Sequence, residues 1–481
     1  MKSKVIFSAI IFSLFALNSL KATADPTPKK PNILFILVDD LGKEWISTYG
    51  AEDIHTPNID QLAQNGLKFD NFYVTPQCTP SRVTFLTGQY PFRHGWVNHW
   101  DVPRWGGGVQ FDSEKNPSVA QVMQTVGYKT AAAGKWQIND FRVQPEAMVS
   151  HGFDDYSMWT GYEAGNPPSE ERYWDPYIHT KKGSKTYKGE FGEDIFSDFL
   201  IDFMKKNKDD PMFLYYAMTL THTPFTSTPA EPNVTGSYGQ HKAMVRYQDF
   251  LVGKLVRALD ELGLRENTII IYTTDNGTVG SITGEMNGRK VPGGKQKTTE
   301  NGVCMPFIVN CPGIVPQGQV TDALGDLTDI LPTLADLAGA KLPENYEFDG
   351  VSLADVMLGN NLDSPRDWIM AMGGGNNAAL SEKGMENQYH FRDRVIRNKE
   401  FKLFISPTRK PVKLVNLAID PEENNNLLKN MDSKVKAEYE KLWKAVSIFP
   451  EEDNDPHYTP LPEEPWDVKV TVKSQVWKKN K

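Results

Sequence analysis

The chain has 481 residues, with 52 Lys or Arg against 61 Asp or Glu and a formal net charge of −9. This acidic balance argues against a general surface for nucleic acid or anionic membranes, so binding of a negative ligand requires a local group of cations. The length exceeds that of one ordinary hydrophobic core. It predicts two or three domains, or one large domain with a small one.

The first 24 residues have the composition of an export signal. Lys2 and Lys4 precede an apolar run over 5–20, and the small residues 22–24 follow. This order is typical of a cleaved signal peptide, and the run is shorter than the ~20 residues that span a membrane. No cysteine lies nearby for a lipid anchor. We therefore expect an exported protein, periplasmic or secreted, with no membrane attachment.

From residue 31 onward, apolar and β-branched runs stop abruptly at polar residues. Four runs behave in this way: 32–38 before Asp39 and Asp40, 128–133 before 134–137, 212–218 before 221–223, and 268–272 before Asp275 and Asn276. Such runs are typical of strands buried on both faces of an α/β sheet. Because ligands bind outside the carboxyl ends of such strands, we expect the four polar clusters to share one site.

Helical patterns alternate with these runs. They cover 56–65, 118–126, 194–206, 243–262 and 329–338. The alternation predicts a large β-sheet sandwiched by helices. A polar stretch at 360–365 predicts the boundary between a catalytic α/β domain over 25–360 and a smaller C-terminal α+β domain over 361–481. The tail from Pro450 is rich in Pro and Glu, and we expect it to lie along the surface or to be partly disordered.

The chain has three cysteines. Cys304 and Cys311 flank a strand pattern that would separate them by roughly 23 Å, whereas a disulfide needs Cα atoms within about 7 Å. No disulfide framework is expected. Cys78 begins a predicted helix closed by Gly88, where free N–H groups and the helix dipole favour an anion. A cysteine in that position ordinarily indicates a thiolate nucleophile.

The strand-end residues Asp39, Asp40, Asp275 and Asn276 offer only oxygen ligands. A hard cation such as Ca²⁺ or Mg²⁺ prefers this set. One such pair is more often a turn or a helix cap, but two pairs at strand ends favour a metal site. Since a soft thiolate is a poor ligand for a hard cation, Cys78 fits such a site only if it becomes an oxygen species.

The stretch 78–88, with the sequence CTPSRVTFLTG, closely resembles the sulfatase signature, in which the cysteine is oxidised to formylglycine. Further segments resemble the family in the same order: 32–42, 134–136, 221–224, 274–277, 293–295, 300–302, 329–334, 349–353 and 416–427. The resemblance covers nearly the whole chain after residue 24. It implies an alkaline phosphatase-like fold, a short antiparallel sheet in the C-terminal domain, sulfuric ester hydrolysis, and a formylglycine-generating maturation enzyme as a partner.

The resemblance also implies roles for individual residues. The metal ligands, with Ca²⁺ as the expected ion and Mg²⁺ as the alternative, would be Asp39, Asp40, Cys78, Asp275 and Asn276. The hydrated aldehyde of residue 78 would attack sulfur through one oxygen, and its second hydroxyl would release sulfate. Arg82 would steady the hydrate, Lys135 and Lys295 would hold sulfate oxygens, and His222, alone or with Lys295, would act as general acid.

Three positions depart from the family pattern. Gln137 stands where a His is usual; it can bind substrate but cannot act as a base, so proton removal would pass to water, His222 or another group. In the segment usually written Glu-Gly-Gly-x-Arg, a Gly and the Arg are replaced by Asn301 and Cys304. We interpret these as a subfamily difference, with a weak or inactive enzyme as the alternative.

Two aromatic-rich regions indicate a substrate. They contain Trp96, Trp100, Trp105, Tyr156, Trp159, Tyr162, Tyr173, Trp174 and Tyr177. Flat rings stack on sugars, although core packing accounts for at least half of such residues. Together with export, they predict a sulfated carbohydrate substrate and a role in polysaccharide degradation. His390, Arg392 and Arg394 are expected either to reach the site or to form surface charge.

Two other functions remain open from the sequence. The first is a phosphoester or phosphonate-ester hydrolase of the same superfamily. The second is a catalytically silent protein that binds sulfated glycans, for which Gln137 is the motive. A thiol hydrolase is disfavoured because Cys78 has no adjacent His and lies among oxygen ligands.

Overall fold

A computed structural model of the chain describes residues 30–98, 110–161, 163, 165–373, 378–380, 385–387 and 389–466. The expected signal peptide and the residues Trp100, Trp105 and Tyr162 lie outside the described residues. Within the described ranges, no helix combines the length and the apolar character needed to cross a membrane.

The strands of the described residues fall into one large sheet and three small ones. In chain order they are β1 (Asn32–Val38), β2 (Leu67–Tyr73), β3 (Lys129–Lys135), β4 (Asp155–Trp159), β5 (Tyr177–Thr180), β6 (Gly183–Thr186), β7 (Met212–Ala217), β8 (Thr268–Thr274), β9 (Thr283–Met286), β10 (Arg289–Pro292), β11 (Phe307–Asn310), β12 (Gln319–Asp326), β13 (Ile369–Met372), β14 (Ala378–Leu380), β15 (Met385–Asn387), β16 (Arg394–Arg397), β17 (Phe401–Ile405) and β18 (Pro411–Asn416).

The large sheet is mixed and has the strand order β12-β2-β11-β8-β1-β7-β3-β4-β5-β6. Its centre is parallel: β1 pairs with β7 and β8, and β3 pairs with β7 and β4. The antiparallel pairs lie on either side of this centre, where β11 meets β8 and β2, and β5 meets β4 and β6. The four strands predicted to share a site, β8, β1, β7 and β3, are therefore consecutive and parallel.

Helices of the described residues cover both faces of this large sheet or pack against the four-stranded sheet that contains β13 and β16–β18. They are α1 (Pro57–Gln64), α2 (Cys78–Thr87), α3 (Pro91–His94), α4 (Val119–Gln124), α5 (Ala147–Ser150), α6 (Gly192–Lys206), α7 (Ser237–Glu261), α8 (Glu300–Val303), α9 (Ile330–Ala338), α10 (Ala354–Met357) and α11 (Ser433–Val446). Helix α7 begins six residues before the predicted start at 243, because its first turns are polar and lack the apolar spacing that marks the rest.

The central strands are apolar on both sides because both faces are buried. In β1, the alternate residues Ile33, Phe35 and Leu37 join a core with helices α2, α4 and α9. Leu34, Ile36 and Val38 point the other way, into a core with α1, α6 and α7. The predicted large sheet sandwiched by helices is therefore confirmed.

The C-terminal region contributes an antiparallel sheet with the order β13-β16-β17-β18, against which α11 packs. Glu300 of α8 reaches this sheet: its carboxylate lies 2.9 Å from Lys402 Nζ and 2.9 Å from Arg397 Nη1. Tyr73 of β2 also donates to Glu300. One carboxylate thus connects the large sheet with the small one.

The tail beyond α11 returns across the molecule. Asp453 is buried between two arginines, 3.1 Å from Arg392 Nη1 and 2.6 Å from Arg394 Nη2. The expectation that Arg392 and Arg394 reach the site or form surface charge is wrong, because both side chains are buried against this aspartate. His390 is exposed. Further along, the Thr459 amide donates to Asp112. As far as Trp466, the tail therefore lies along the surface, which is one of the two predicted alternatives.

The three cysteines are free, in agreement with the expectation of no disulfide framework, and all three are buried. Several aromatic residues proposed for sugar stacking are core residues instead: Trp96, Tyr156, Trp159 and Tyr173 are each less than 5% exposed. Trp174 and Tyr177 are partly exposed. Core packing therefore explains the larger share of the described aromatic residues.

Replacing Glu300 tests the connection between the sheets. Burial opposes ionisation, but the charges of Lys402 and Arg397 lower the pKa of Glu300 from 4.5 to about 2. The ionised carboxylate therefore stabilises the fold above pH 4.5, and this contribution is lost as the pH falls towards 2. We expect Glu300→Gln to lower the free energy of unfolding at pH 7 by about 3 kcal/mol, measured by urea denaturation.

The same variant should show a weaker dependence of stability on pH between about 4.5 and 2 than the parent protein. The exposed pair of Glu400 with Lys434 provides a matched control, and Glu400→Gln should cost less than about 1 kcal/mol. Equal losses in the two variants would contradict a special role for Glu300.

Candidate active site

The site is built at the carboxyl ends of β8, β1, β7 and β3. Val38 is in register with Thr274, and Ala217 is in register with both Leu37 and Gly134. The residues that follow these positions therefore leave the sheet at the same edge. Asp39, Asp40, Asp275 and Asn276 are all fully buried there.

Helix α2 brings Cys78 to this edge. The helix begins at Cys78, is buried throughout, and ends at Gly88, whose φ of 68° suits a residue without a Cβ. Ser81 Oγ donates to the Asp275 carbonyl oxygen at 2.5 Å, which ties the first turn to the end of β8. The Gln296 amide donates to the Pro76 carbonyl at 2.8 Å and brings the segment of Lys295 alongside.

Arg82 lies one helical turn after Cys78 and faces the carboxylates. Its Nη2 is 2.8 Å from Asp275 Oδ2 and 3.9 Å from Asp39 Oδ2, and its Nη1 donates to the Lys135 carbonyl at 3.1 Å. The guanidinium thus links the ends of β8, β1 and β3. Burial opposes the charge of Arg82, but Tyr215, Asp275 and Asp39 raise its pKa above the usual value.

Two lysines complete the group of cations. Lys135 Nζ lies 2.6 Å from Asp39 Oδ2, with both side chains fully buried, and Lys295 Nζ lies 2.6 Å from Asp40 Oδ2. Burial opposes the charge of Lys295, but Asp40 and then Cys78 raise its pKa. An acidic protein therefore has the local positive group that the sequence analysis required.

The three buried carboxyl groups compete for this positive charge. Burial raises the pKa of Asp39, but the positive charges of Lys135, Arg82 and Lys295 outweigh it, and the pKa falls well below the usual range. Burial and the neighbouring Asp39 raise the pKa of Asp275 to about 7 against the effect of Arg82, and burial also raises that of Asp40. Asp40 and Asp275 therefore hold a proton more readily than Asp39, and a bound divalent cation would favour their ionised forms.

The donor set fits a hard divalent cation. Asp39, Asp40 and His222 offer ligand atoms that all lie within 4.8 Å of one another. Asp39 Oδ1 and Asn276 Oδ1 are buried with no hydrogen-bond partner in the described part of the chain. Buried oxygens without a partner are costly, and coordination of Ca²⁺ or Mg²⁺ would satisfy them. Asp275 lies beside them, with Oδ1 accepting from the Asp40 amide at 3.2 Å.

His222 lies at the side of this cluster, with Nε2 3.7 Å from Asp40 Oδ2. Its Nδ1 is 2.5 Å from the Thr223 carbonyl oxygen, which can only accept, so Nδ1 carries the proton and Nε2 faces the carboxylates. Burial, followed by the charge of Lys295, lowers the pKa of His222 well below its usual value. In the protein without bound substrate, the imidazole ring of His222 is therefore neutral at pH 7.

The end of β3 and the turn that follows it each have a residue with a left-handed backbone angle. Gly134 has a φ of 100°, and a Cβ there would lie 2.0 Å from the Ala217 carbonyl oxygen, so glycine allows β3 and β7 to approach at the site. Gln137 has a φ of 67° and is buried, and its Oε1 has no hydrogen-bond partner among the described residues. It lies two residues after Lys135 and has no bond to the predicted catalytic groups.

The other two departures have local explanations. Lys43 Nζ lies 3.1 Å from Cys304 Sγ, so a cation from another segment occupies the neighbourhood where family members carry Arg. Asn301 is partly exposed and donates through its side chain to the Pro292 carbonyl at 2.6 Å. A Cβ at Gly277 would lie 2.0 Å from the Asn301 carbonyl oxygen, so glycine at 277 allows the two backbones to approach.

Sequence reasoning missed the residues that support the segment of His222. Glu193 accepts from the Thr219 amide at 2.6 Å and from its hydroxyl at 2.5 Å. Tyr173 Oη lies 2.9 Å from the Thr219 carbonyl and 2.6 Å from the His222 carbonyl. Arg172 donates to the Thr223 carbonyl. The position of Arg172 and Tyr173 within an aromatic stretch could have indicated residues near the site. No sequence pattern indicates the role of Glu193, because an acidic residue is common in the first turn of a helix.

The comparison with a family model decides the classification: the model described as Sulfatase matches residues 31–340, a range that includes every predicted site residue. The chain belongs to the sulfatase family. It is 32% identical to human N-acetylgalactosamine-6-sulfatase over 366 residues, covering 71% of this chain and 69% of the relative. It is 34% identical to human arylsulfatase A over 392 residues, covering 73% and 72%.

Solved structures agree with this sulfatase assignment. The crystal structure of Ps i-CgsB in complex with k-i-k-neocarrahexaose is similar to this chain, with a TM-score of 0.73 and 26% identity, and the match covers 94% of this chain and 97% of that one. The alkaline phosphatase-like fold predicted for the sulfatase is confirmed, and the protein is a sulfuric ester hydrolase.

A double-mutant cycle tests the buried pair of Lys135 and Asp39 in the sulfatase. Lys135→Met leaves Asp39 without its nearest cation, and we expect a loss of about 3–5 kcal/mol in the free energy of unfolding. The combination of Lys135→Met with Asp39→Asn should be more stable than the sum of the single losses predicts, by about 0.5–3 kcal/mol. Urea denaturation in the presence of EDTA measures the protein without divalent ions.

Lys254→Met removes a lysine from a partly exposed pair with Asp198 and is the control, with an expected loss below about 1 kcal/mol. Additive effects of Lys135→Met and Asp39→Asn would mean that the two side chains do not act as a pair.

Proposed function

We propose that this sulfatase is exported and hydrolyses sulfate esters of a sulfated carbohydrate, using residue 78 as formylglycine and a bound divalent cation, with Ca²⁺ as the expected ion. The observation that carries the proposal is the convergence of Cys78 and Arg82 with Lys135, Lys295 and buried carboxyl groups. This arrangement combines a nucleophile position with a binding site for a dense negative charge.

The names of the similar proteins support a carbohydrate substrate. One relative is an N-acetylgalactosamine-6-sulfatase, and the similar crystal structure contains a neocarrahexaose. A sulfated sugar of a polysaccharide or glycosaminoglycan is therefore the proposed substrate class, and polysaccharide degradation is the proposed role. We also propose residues 1–24 as the export signal, 25–360 as the catalytic domain and 361–481 as the C-terminal domain.

The proposed nucleophile depends on modification of residue 78. When Cys78 has been converted to formylglycine by a maturation enzyme, its hydrated form supplies an oxygen nucleophile and a second hydroxyl that allows sulfate to leave. Arg82, one turn along α2, holds that side chain through its guanidinium and is itself fixed by Asp275 at 2.8 Å. The ligands proposed for the cation are Asp39, Asp40, Asp275 and Asn276, together with residue 78.

The remaining residues bind the sulfate group and move a proton. Lys135 and Lys295 are close enough to the carboxylates to neutralise them, and their ammonium groups are proposed to bind sulfate oxygens as well. His222 is the proposed general acid for the leaving oxygen once Nε2 has taken up a proton, which the negative charge of a bound sulfate ester favours. Lys295, whose ammonium group already carries protons, is the second donor. The bond from Nδ1 of His222 to the Thr223 carbonyl fixes the ring and turns Nε2 toward the site.

Gln137 supports a second candidate, a protein that binds sulfated glycans without turnover. Its buried Oε1 lacks a partner and is proposed to contact the substrate, but an amide cannot take a proton at neutral pH. Sulfate release from a panel of sulfated sugars by protein with complete formylglycine would exclude this candidate. Comparison of aryl sulfate with aryl phosphate would distinguish the sulfatase from a phosphoester hydrolase, which would favour phosphate.

Cys78→Ala tests the nucleophile. We expect at least a 10³-fold loss of sulfate release, with the fold retained, because alanine cannot be converted to an aldehyde. Peptide mass spectrometry of the parent protein should show the mass of formylglycine at residue 78. Cys311→Ala is the control, since Cys311 is buried elsewhere and contacts the Glu266 carbonyl, and it should keep its activity. Activity of Cys78→Ala near that of the parent would refute the mechanism.

Calcium titration tests the cation site without an activity assay. Ca²⁺ at 100 times its dissociation constant should stabilise the folded protein by about 2.7 kcal/mol, and EDTA should reverse the shift in Tm. Asp275→Asn should weaken Ca²⁺ binding at least tenfold by calorimetry, because it removes a ligand charge. Asp53→Asn, which alters an exposed pair with Lys242, should bind Ca²⁺ as the parent does. Equal Ca²⁺ affinities for Asp275→Asn and Asp53→Asn would show that Asp275 is not a ligand of the bound ion.

A further inference from the structure

Arg172 is a buried cation without a carboxylate partner. Its side chain is 9% exposed, its Nη2 donates to the Thr223 carbonyl, and its Nε is buried with no hydrogen-bond partner among the described residues. Other buried arginines of the described chain are paired: Arg82 with Asp275 at 2.8 Å, and Arg394 with Asp453 at 2.6 Å. Arg172 differs because it forms no ion pair within the part of the chain that the structure describes.

The position of Arg172 joins two parts of the catalytic site. Its guanidinium lies over the Trp159 ring, 4.6 Å from the centroid, and Trp159 is the register partner of Lys135 at the end of β3. Its hydrogen bond goes to Thr223, the residue after His222. The cation is therefore located between the strand end that carries Lys135 and the segment that carries His222.

An unpaired buried guanidinium is costly unless something compensates it. The rings of Trp159 and Tyr173, at 4.6 and 5.3 Å, offset part of that cost through cation–π contacts. Neutral rings provide no counter-charge. The planar fork of arginine binds carboxylate or sulfate through two parallel hydrogen bonds, which makes an anion its best partner.

The segment of His222 has supports other than Arg172. Tyr173 Oη bonds the carbonyls of Thr219 and His222, and Glu193 holds the amide and hydroxyl of Thr219. These bonds hold the part of the His222 segment that directly follows β7. The structural contacts of Arg172 are thus one hydrogen bond, to the Thr223 carbonyl, and the two ring contacts, and its Nε has no hydrogen-bond partner among the described residues.

We infer that Arg172 binds a second anionic group of the substrate, a sulfate or a carboxylate on the same sugar or on the adjoining one. The inference rests on the proposed function, since the first sulfate is the one cleaved between Lys135, Lys295 and residue 78. It narrows the substrate class to carbohydrates with at least two negative groups. Arg172 is then a determinant of specificity, and it takes no part in the bond-breaking step.

Matched substrates test this inference. We compare the parent with Arg172→Gln and Arg172→Lys on an aryl sulfate, a monosulfated disaccharide, the same disaccharide with a second sulfate, and the same disaccharide with a uronic acid carboxylate. Arg172→Gln should raise KM at least tenfold on one or both dianionic substrates and change kcat less than twofold. Its effect on KM should be smaller on the aryl sulfate and on the monosulfated disaccharide, because both lack the second anion. Arg172→Lys should recover part of the affinity because it keeps the charge but lacks the fork.

The dianionic substrate with the larger increase in KM shows whether Arg172 binds a sulfate or a carboxylate. Arg246→Gln, which removes an exposed arginine paired with Glu231, controls for the change in net charge and should match the parent. A fall in kcat of similar size on all four substrates would assign Arg172 to positioning of His222 and overturn the inference. Unchanged KM values on both dianionic substrates would overturn it as well.

Binding measurements separate this inference from the proposed function. In Cys78→Ala protein, calorimetry with the same disaccharides should show at least tenfold tighter binding of a dianionic one, and Arg172→Gln on that background should abolish the difference. Absence of sulfate release by the parent, with this difference intact, would contradict the enzyme function but support the anion site. Sulfate release without any such difference would contradict the anion site alone. If Arg172→Gln does not fold, as judged from its Tm, Arg172→Lys provides the same comparison.

Discussion

The structure depends on placing three carboxyl groups and three cations in the same buried volume. Asp39, Asp40 and Asp275 have no exposed surface, and each has a cation among its neighbours at hydrogen-bond distance: Lys135, Lys295 and Arg82. Buried charges are tolerated only when they are paired and hydrogen-bonded. The sheet supplies this condition, because the ends of its parallel central strands carry four of these six charges, while α2 and the segment of Lys295 supply the other two.

The same arrangement explains why the central strands are apolar on both faces. β1 lies between β7 and β8 and has apolar cores on both faces, so every residue from Ile33 to Val38 is fully buried. Water cannot reach the carboxylates from below. Electrostatic interactions at the strand ends are therefore stronger than they would be at a surface, which helps a cluster of like charges to hold a divalent cation or a sulfate group.

Sequence reasoning recovered the parts of this design that depend on local pattern. The strand ending at Asp39, the helix beginning at Cys78 and the shared edge of the sheet follow from apolar periodicity, capping and the rules for parallel sheets. The supporting contacts did not follow, since they join residues far apart in the chain without a local pattern. Arg172 and Thr223 are 51 residues apart, and Arg394 and Asp453 are 59 apart. Only the folded chain reveals that one arginine is paired and the other is not.

The complete burial of α2 has a consequence for the order of events during biosynthesis. Cys78 is 4% exposed, and Ser81 and Arg82 tie its helix to Asp275, which lies more than 190 residues later in the chain. Before that later segment is made, the stretch around Cys78 has none of these partners and is open to other proteins. Under the proposed conversion to formylglycine, the maturation enzyme has its access in this interval. Chains that fold before modification would keep an unmodified thiol that is buried in the folded protein. The fraction of active enzyme would therefore depend on the rate of Cys78 modification relative to the rate of folding.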